Sequence, residues 1–152
     1  MRAVYAQSLT GAQATPFNSL RGTVKVLLVE DSPPIEKFIR AALTQRLGVG
    51  IRMESKSSLS QALDALRCEP FDAIIVDFSV SDLQAPDGLE RIGAMARRFP
   101  VVVLIDPEQT DRLITARDLR IHSWLVKETL TPSRLADHVK SAFELQDIRK
   151  RI

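Results

Sequence analysis

The stretch Lys25-Val-Leu-Leu-Val-Glu-Asp31 is an apolar run that ends in two acids. Two later stretches repeat this pattern: Ala73-Ile-Ile-Val-Asp77 ends in an acid, and Trp124-Leu-Val-Lys127 ends in a base. Continuous apolar runs of this length are typical of parallel strands that are buried on both faces. Because ligands of such sheets bind outside the carboxyl ends of the strands, the sequence predicts that the charged residues share one crevice.

The side chains predicted in this crevice are Glu30, Asp31, Asp77 and Lys127. Neighbouring carboxylates repel one another and lose hydration, and a divalent cation with oxygen ligands relieves both costs. The lysine beside them needs an anion as its partner. The simplest chemistry that uses all four groups is magnesium-assisted transfer of a phosphoryl group onto one of the carboxylates.

The composition bounds the class of protein. The chain has 152 residues, of which 45% are hydrophobic and 26% charged, and its formal net charge is +2. These values predict one ordinary globular domain. No dense run of bases with interleaved aromatic residues is present, which argues against direct binding of nucleic acid. The single cysteine, Cys68, allows no internal disulfide and suits a reducing cytoplasm, and no apolar stretch is long enough to predict a membrane span.

From Val24 onward, strand patterns alternate with helical ones, which predicts parallel strands joined by helical crossovers. We therefore predict an α/β fold with a doubly wound five-stranded parallel sheet in a three-layer sandwich. Residues 1–23 show no strand or helix period and are predicted to be a disordered tail, and residues 24–150 form the domain. The predicted strands lie at about 25–29, 51–53, 72–77, 101–106 and 123–127, and the helices at about 33–48, 58–69, 88–98, 108–119 and from 132 onward.

These stretches together resemble the receiver domain of two-component response regulators over about residues 24–150. The first stretch looks like the family's first strand with its acid pair, and Phe71–Asp77 looks like the strand that ends in the phosphorylated aspartate. Trp124–Lys127 is similar to the aromatic-x-x-Lys that closes the family's site. The separations of 46 residues from Asp31 to Asp77 and of 50 from Asp77 to Lys127 are also close to the family pattern.

The resemblance implies a cytoplasmic signalling module that is not an enzyme. Asp77 would accept a phosphoryl group from the phosphohistidine of a sensor histidine kinase or a phosphotransfer protein, and Lys127 would pair with Asp77 and then with the phosphoryl group. Mg²⁺ would be held by Asp31, Asp77 and the backbone carbonyl of Ser79, and by Glu30 through water. The output would be contact with a downstream effector protein or domain, or a homodimer, without direct binding to nucleic acid or membrane.

Five features depart from the family pattern at its switch. The family's spacing places Ile105 where a Thr or Ser hydroxyl donates to the phosphoryl group, and isoleucine cannot donate. Asp106 replaces a small residue, so it either repels a phosphodonor or contacts a metal or an amine. Trp124 is larger than the usual aromatic, and Glu128 replaces a proline with a cis bond, so we expect a different loop there. The connection Phe78–Asp87 is longer than usual and is expected to overhang the site.

Three alternatives remain beside the receiver. A pseudo-receiver would keep the fold and the pocket but act as a phosphorylation-independent interaction module, and the missing hydroxyl at Ile105 favours it. A metal-dependent phosphatase would also form an aspartyl phosphate, but it needs a second Asp two residues after the nucleophile, where this chain has Ser79. Binding of a flavin is weaker still, because Asp31-Ser-Pro-Pro34 offers few N–H groups to a phosphate.

Overall fold

The computed structural model describes residues 23–48, 50–114 and 121–151. Strands and helices alternate along the chain. The strands are β1 (Val24–Val29), β2 (Ile51–Lys56), β3 (Ala73–Asp77), β4 (Val101–Ile105) and β5 (Ser123–Val126). The helices are α1 (Pro33–Leu47), α2 (Leu59–Cys68), α3 (Gly88–Ala96), α4 (Thr110–Ile114) and α5 (Pro132–Arg151).

The five strands form one parallel sheet in the order β2-β1-β3-β4-β5. The order reverses direction at β1 and β3, which is the switch point of a doubly wound sheet. The predicted fold class, a three-layer α/β sandwich with five parallel strands, is therefore confirmed.

Each central strand is buried on both faces, which explains why its sequence is an apolar run and not an alternating pattern. One set of strand residues packs against α1 and α5, with Leu28, Ile75 and Leu104 among them. The other set, with Val29 and Val76 among its members, packs against α2 and α3. The two hydrophobic cores hold the carboxyl ends of the strands at one edge of the sheet.

Local sequence explains where the first helices start and stop. Helix α1 begins with Pro33-Pro34, where the missing proline N–H costs nothing, and it ends at Gly48, whose φ of 93° favours glycine. At the start of α2 the Ser58 hydroxyl accepts a hydrogen bond from the N–H of Gln61, at 3.1 Å. These caps fit the predicted starts of both helices.

Two predicted elements differ in extent. Strand β2 continues to Lys56, beyond the predicted end at Met53. Its last three residues stay paired with Leu27, Leu28 and Val29 of β1. The fourth helix begins as a 3₁₀ turn at Pro107–Gln109 and is α-helical over Thr110–Ile114, and its predicted end falls on 115–119, outside the described residues. The predicted tail also lies outside them, apart from residue 23. No helix in the described ranges has the length and apolar character of a bilayer span.

Candidate functional site

The register of the sheet brings three strand ends together. Asp77 is the last residue of β3 and pairs with Leu104 of β4. On one side, Val29 of β1 pairs with Val76, so Glu30 follows at the level of Asp77. On the other side, β4 leads to β5, and Lys127 is the first residue after that strand. The register therefore places Glu30, Asp77 and Lys127 at the carboxyl ends of strands that lie side by side or one strand apart.

Asp77 and Lys127 form the centre of this site. The Nζ atom of Lys127 lies 3.0 Å from Oδ1 and 2.9 Å from Oδ2 of Asp77. The side chain of Asp77 is 1% exposed and that of Lys127 is 16% exposed. The backbone N–H of Ser79 donates to Oδ1 of Asp77 at 2.8 Å, which fixes the direction of the carboxylate. The arrangement offers a nucleophilic oxygen that is held by an ammonium group.

Glu30 is buried next to this pair. Its Oε2 accepts the N–H groups of Asp31 and Ser32, both at 3.1 Å, whereas its buried Oε1 receives no hydrogen bond from the described residues. Burial and the neighbouring Asp77 carboxylate raise the pKa of Glu30 to about 8, against the effect of the Ser32 N–H and of Lys127. Two buried carboxyl groups that are close enough to perturb one another in this way disfavour a second negative charge, so a proton or a cation stabilises them.

The charges of the central pair follow from their surroundings. Burial opposes the charged form of Asp77, but the Glu30 carboxyl, the Ser79 N–H and Lys127 hold the pKa of Asp77 below its usual value. Burial also opposes the ammonium form of Lys127, but contacts with Asp77 and Asp106 hold the pKa of Lys127 above its usual value. Near neutral pH, the carboxylate and the ammonium are therefore both charged.

Asp106 contacts the lysine, one of the two possibilities that the sequence left open. Oδ1 of Asp106 lies 3.4 Å from Nζ of Lys127, and the Asp106 side chain is 35% exposed. The Ser79 hydroxyl donates to Oδ2 of Asp106 at 2.9 Å and lies 3.2 Å from Nζ of Lys127. Two side chains of the site, Ser79 and Lys127, therefore contact Asp106.

Asp31 stands apart from this network. It is exposed, although it follows Glu30 directly. Within residues 23–48, 50–114 and 121–151, no three acidic, His or Cys side chains are arranged as a metal site. The donors nevertheless fit a hard divalent cation in their chemistry, because the unpartnered oxygen of Glu30 and the carboxylate of Asp77 are the oxygen ligands that Mg²⁺ prefers.

The remaining switch positions lie on β4 and β5. Ile105 is the buried last residue of β4, 2% exposed, and its side chain belongs to the core on the α2 and α3 side. Trp124 pairs with Val103 and packs half-buried against the same core. After Lys127 the chain forms a 3₁₀ turn at Lys127–Thr129, and the described residues contain no cis peptide bond. The loop therefore takes the different course that Glu128 predicts.

The long connection after β3 is packed against the domain. Val80 and Leu83 are fully buried, and the Gln84 side chain donates to the carbonyl of Phe78 at 2.6 Å. The carboxylate of Asp82 accepts the N–H groups of the first two residues of α2, both at 2.9 Å, so it caps that helix. At the end of the connection, a side chain at Gly88 would collide with the backbone carbonyl of Leu83. The expected overhang is instead a tight connection docked on α2.

One functional group escaped the sequence analysis: the hydroxyl of Ser79, which was singled out only for its carbonyl. Its hydroxyl touches both Lys127 and Asp106. The sequence feature that could have indicated it is the position of Ser79, two residues after Asp77, because residues this close to the end of β3 stay near the site. That feature indicates proximity to the site but does not indicate which partner the hydroxyl takes.

Comparison with known proteins identifies the family of this domain. The family model described as response regulator receiver domain matches residues 26–140. A search of curated proteins found no match.

Solved structures share the fold. A response regulator receiver domain protein from Clostridium thermocellum is 22% identical, with a TM-score of 0.69, over 82% of this chain and 98% of that one. The chemotaxis response regulator CheY4 of Vibrio cholerae is 22% identical, with a TM-score of 0.63, over 79% of this chain and 98% of that one. A signal receiver domain of an HD domain-containing protein from Pseudomonas fluorescens Pf-5 is 18% identical, with a TM-score of 0.70, over 86% and 94%. With the family model matching most of its length, this chain belongs to the response regulator receiver domain family of two-component signalling.

Proposed function

We propose that this receiver domain is switched by phosphorylation of Asp77 and signals through protein–protein contacts. One observation carries the proposal: both oxygens of the buried Asp77 carboxylate lie within 3.0 Å of the Lys127 ammonium, at the carboxyl edge of the sheet. A buried aspartate with one lysine partner is a structural ion pair in many proteins. Here Glu30 and Asp106 add two more acids beside the pair, which a structural pair does not need.

The donor is the phosphohistidine of a sensor histidine kinase or of a phosphotransfer protein. An oxygen of Asp77 forms the new P–O bond while the P–N bond breaks, and the imidazole nitrogen leaves with the electron pair and takes up a proton. The Ser79 N–H, at 2.8 Å from Oδ1, keeps the carboxylate in place during the attack. Lys127 then transfers its hydrogen bonds from the carboxylate to an oxygen of the phosphoryl group.

Mg²⁺ would be held by Asp31, Asp77 and the backbone carbonyl of Ser79, with Glu30 bound through water. When bound, the ion neutralises charge on the transferring phosphoryl group. Glu30 holds its side of the site through the two backbone N–H groups that its Oε2 accepts. The partners are therefore a phosphohistidine donor and a downstream effector, and we place the domain in the cytoplasm with them.

The test is labelling of the full chain by acetyl phosphate with MgCl₂, followed by intact mass spectrometry. We expect one phosphoryl group on the wild type, none on Asp77→Asn, and none when EDTA replaces MgCl₂. Asp87→Asn is the matched control because Asp87 is an exposed acid at the end of the same connection, and it should label like the wild type.

Two results would count against the proposal. Labelling of Asp77→Asn to the wild-type level would move the acceptor to another residue. A wild type that takes no phosphoryl group from acetyl phosphate or from any histidine kinase would leave the domain as a phosphorylation-independent interaction module.

A further inference from the structure

The missing hydroxyl at Ile105 leaves the site without the donor that the family resemblance implies for the phosphoryl group. Ile105 is buried in the core and carries no polar atom. A phosphoryl group shifts a conformational equilibrium only by contacts that differ between the two states. Some other group must supply that difference if this site is switched.

The Ser79 hydroxyl is placed to supply it. Its oxygen lies 3.2 Å from Nζ of Lys127, and Lys127 in turn lies at 2.9 and 3.0 Å from the Asp77 oxygens. A phosphoryl oxygen that binds the same ammonium therefore comes within reach of this hydroxyl. The Ser79 backbone is fixed to Asp77 through its N–H, so only the side-chain torsion has to change.

The hydroxyl already has a partner in the absence of a phosphoryl group. It donates to Oδ2 of Asp106 at 2.9 Å, across a separation of 27 residues. Asp106 stands directly between the end of β4 and the turn that leads into α4. Its own N–H donates to the side chain of Gln109 at 2.9 Å, and its carbonyl accepts the Gln109 N–H at 2.9 Å. The side chain of Asp106 thus ties the start of α4 to the connection that follows Asp77.

We propose that Ser79 and Asp106 together replace the missing switch hydroxyl: phosphorylation of Asp77 moves the Ser79 hydroxyl from Asp106 to the phosphoryl group and releases Asp106. This proposal rests on the proposed function. Ser79 is a positioning residue in the resting state and a ligand of the phosphoryl group in the other. Asp106 is the group through which the change reaches α4.

Charge gives the release its direction. A phosphoryl group brings a charge of about −1.5 to −2 at neutral pH and takes the ammonium of Lys127 as its partner. The carboxylate of Asp106, now 3.4 Å from that ammonium, loses both of its partners and faces a like charge. The segment Asp106–Ile114 is therefore expected to move away from the site and to loosen.

The experiment uses the full chain with beryllofluoride and MgCl₂ as the probe. Binding is followed by ¹⁹F NMR, and the response of residues 106–114 is followed by hydrogen exchange. The variants are Ser79→Ala and Asp106→Asn. Their matched controls are Ser81→Ala and Glu108→Gln, since Ser81 and Glu108 are exposed neighbours of the two residues in the same segments.

The two variants should change the affinity for beryllofluoride in opposite directions. Ser79→Ala loses a donor to a charged group and should bind roughly tenfold more weakly. Asp106→Asn loses a like charge and should bind roughly tenfold more tightly. In wild type and both controls, beryllofluoride should speed exchange over 106–114. In both variants this change should shrink to less than half, because the hydroxyl or the charge that drives the release is gone.

The result separates the two proposals. Beryllofluoride could bind and change the exchange over 106–114 equally in wild type, Ser79→Ala and Asp106→Asn. That result would overturn the proposed role of Ser79 and Asp106 in the switch and leave the proposed function intact. Weaker binding to Asp106→Asn would also overturn it, because the carboxylate would then assist the anion. If no bound ¹⁹F signal appears in wild type or in either control, the proposed function fails and the switch with it.

Discussion

Two connections border the same carboxylate but are held in different ways. The connection Phe78–Gly88 after β3 is anchored by fully buried apolar side chains and by the cap that Asp82 places on α2. The segment Asp106–Ile114 after β4 begins with a half-buried acid, and Pro107, Glu108, Thr110 and Asp111 within it are exposed. Its contacts with the first connection include the Ser79–Asp106 hydrogen bond and the Arg112 guanidinium, which lies 4.6 Å from the centre of the Phe78 ring.

The difference in energy decides which side can move. Full burial of one large apolar side chain contributes about 1.5–3 kcal/mol, and the first connection buries Phe78, Val80 and Leu83, whereas the Ser79–Asp106 hydrogen bond to a charged group is a single contact of about 1.5–3 kcal/mol. A phosphoryl group that offers new hydrogen bonds can therefore compete with the contacts of Asp106 but cannot compete with the burial of all three side chains. The first connection serves as the fixed wall of the site, and the second serves as its responsive wall.

The largest expected effect comes from breaking the fixed wall. Leu83→Ala removes a fully buried side chain and should lower the free energy of unfolding by about 2–5 kcal/mol. Urea unfolding of the full chain measures it. The matched change in the other segment, Glu108→Ala, affects an exposed side chain and should stay within about 0.5 kcal/mol. Similar losses from the two changes would remove the distinction between the walls.

A smaller effect is expected at the link between the fixed wall and α2. Asp82→Ala leaves two N–H groups at the start of α2 without their acceptor and should cost about 0.5–2 kcal/mol of stability. Asp82→Asn keeps one acceptor oxygen, so it should lose less than the alanine variant. Hydrogen exchange over residues 59–62 should rise in the same order. Protection that is unchanged in Asp82→Ala would mean that Ser58 alone caps the helix.

The responsive wall should tolerate the loss of its own cap. Gln109→Ala removes the acceptor of the Asp106 N–H and should cost less than about 1 kcal/mol in urea unfolding. Exchange should rise over 106–112 and stay constant over 78–88. Asp87→Asn is the control, because it changes an exposed residue of the opposite wall. A loss comparable with that of Leu83→Ala would contradict the comparison.

The smallest expected effect is a pH dependence of the unfolding free energy that comes from His122, which lies outside both walls. Burial, together with His138 and Arg149, lowers the pKa of His122 below 6.5, and His122 lies 3.1 Å from the Ser141 hydroxyl. Below pH 6.5 the unfolded chain binds this proton more readily, so the free energy of unfolding should fall as the pH drops toward the folded-state value. His122→Gln should flatten this slope in urea titrations between pH 7.5 and 5.5. An equal slope in both proteins would assign the acid sensitivity to other groups.

The sheet and the centre of the site follow from patterns that act over short distances. Apolar runs fix which segments are buried on both faces, and the topology rule then places Glu30, Asp77 and Lys127 at one edge. The starts of α1 and α2 are equally local, since proline and serine act on the backbone next to them. These features could be predicted because each depends on a few adjacent residues.

The walls could not be predicted in the same way. Asp82 accepts hydrogen bonds from the N–H groups of Leu59 and Ser60, which precede it by 23 and 22 residues. The Ser79 hydroxyl donates to Asp106, which follows it by 27 residues. Such contacts depend on the course of a loop and on the rotamer of a short polar side chain, neither of which leaves a period in the sequence. For Asp106 the charge alone indicated either repulsion of a phosphodonor or contact with a metal or an amine, and only the structure identifies Lys127 as an amine that it contacts.

The collision that any side chain at Gly88 would cause has a consequence for how this domain can be recombined with its relatives. The length of the connection, the glycine that closes it and the buried Leu83 depend on one another through a single backbone contact. Asp82 extends that dependence to the first turn of α2. In a chimera, residues 59–88 would therefore have to be exchanged as one block, whereas residues 106–114 could be exchanged separately only between domains that both carry a serine at the position of Ser79.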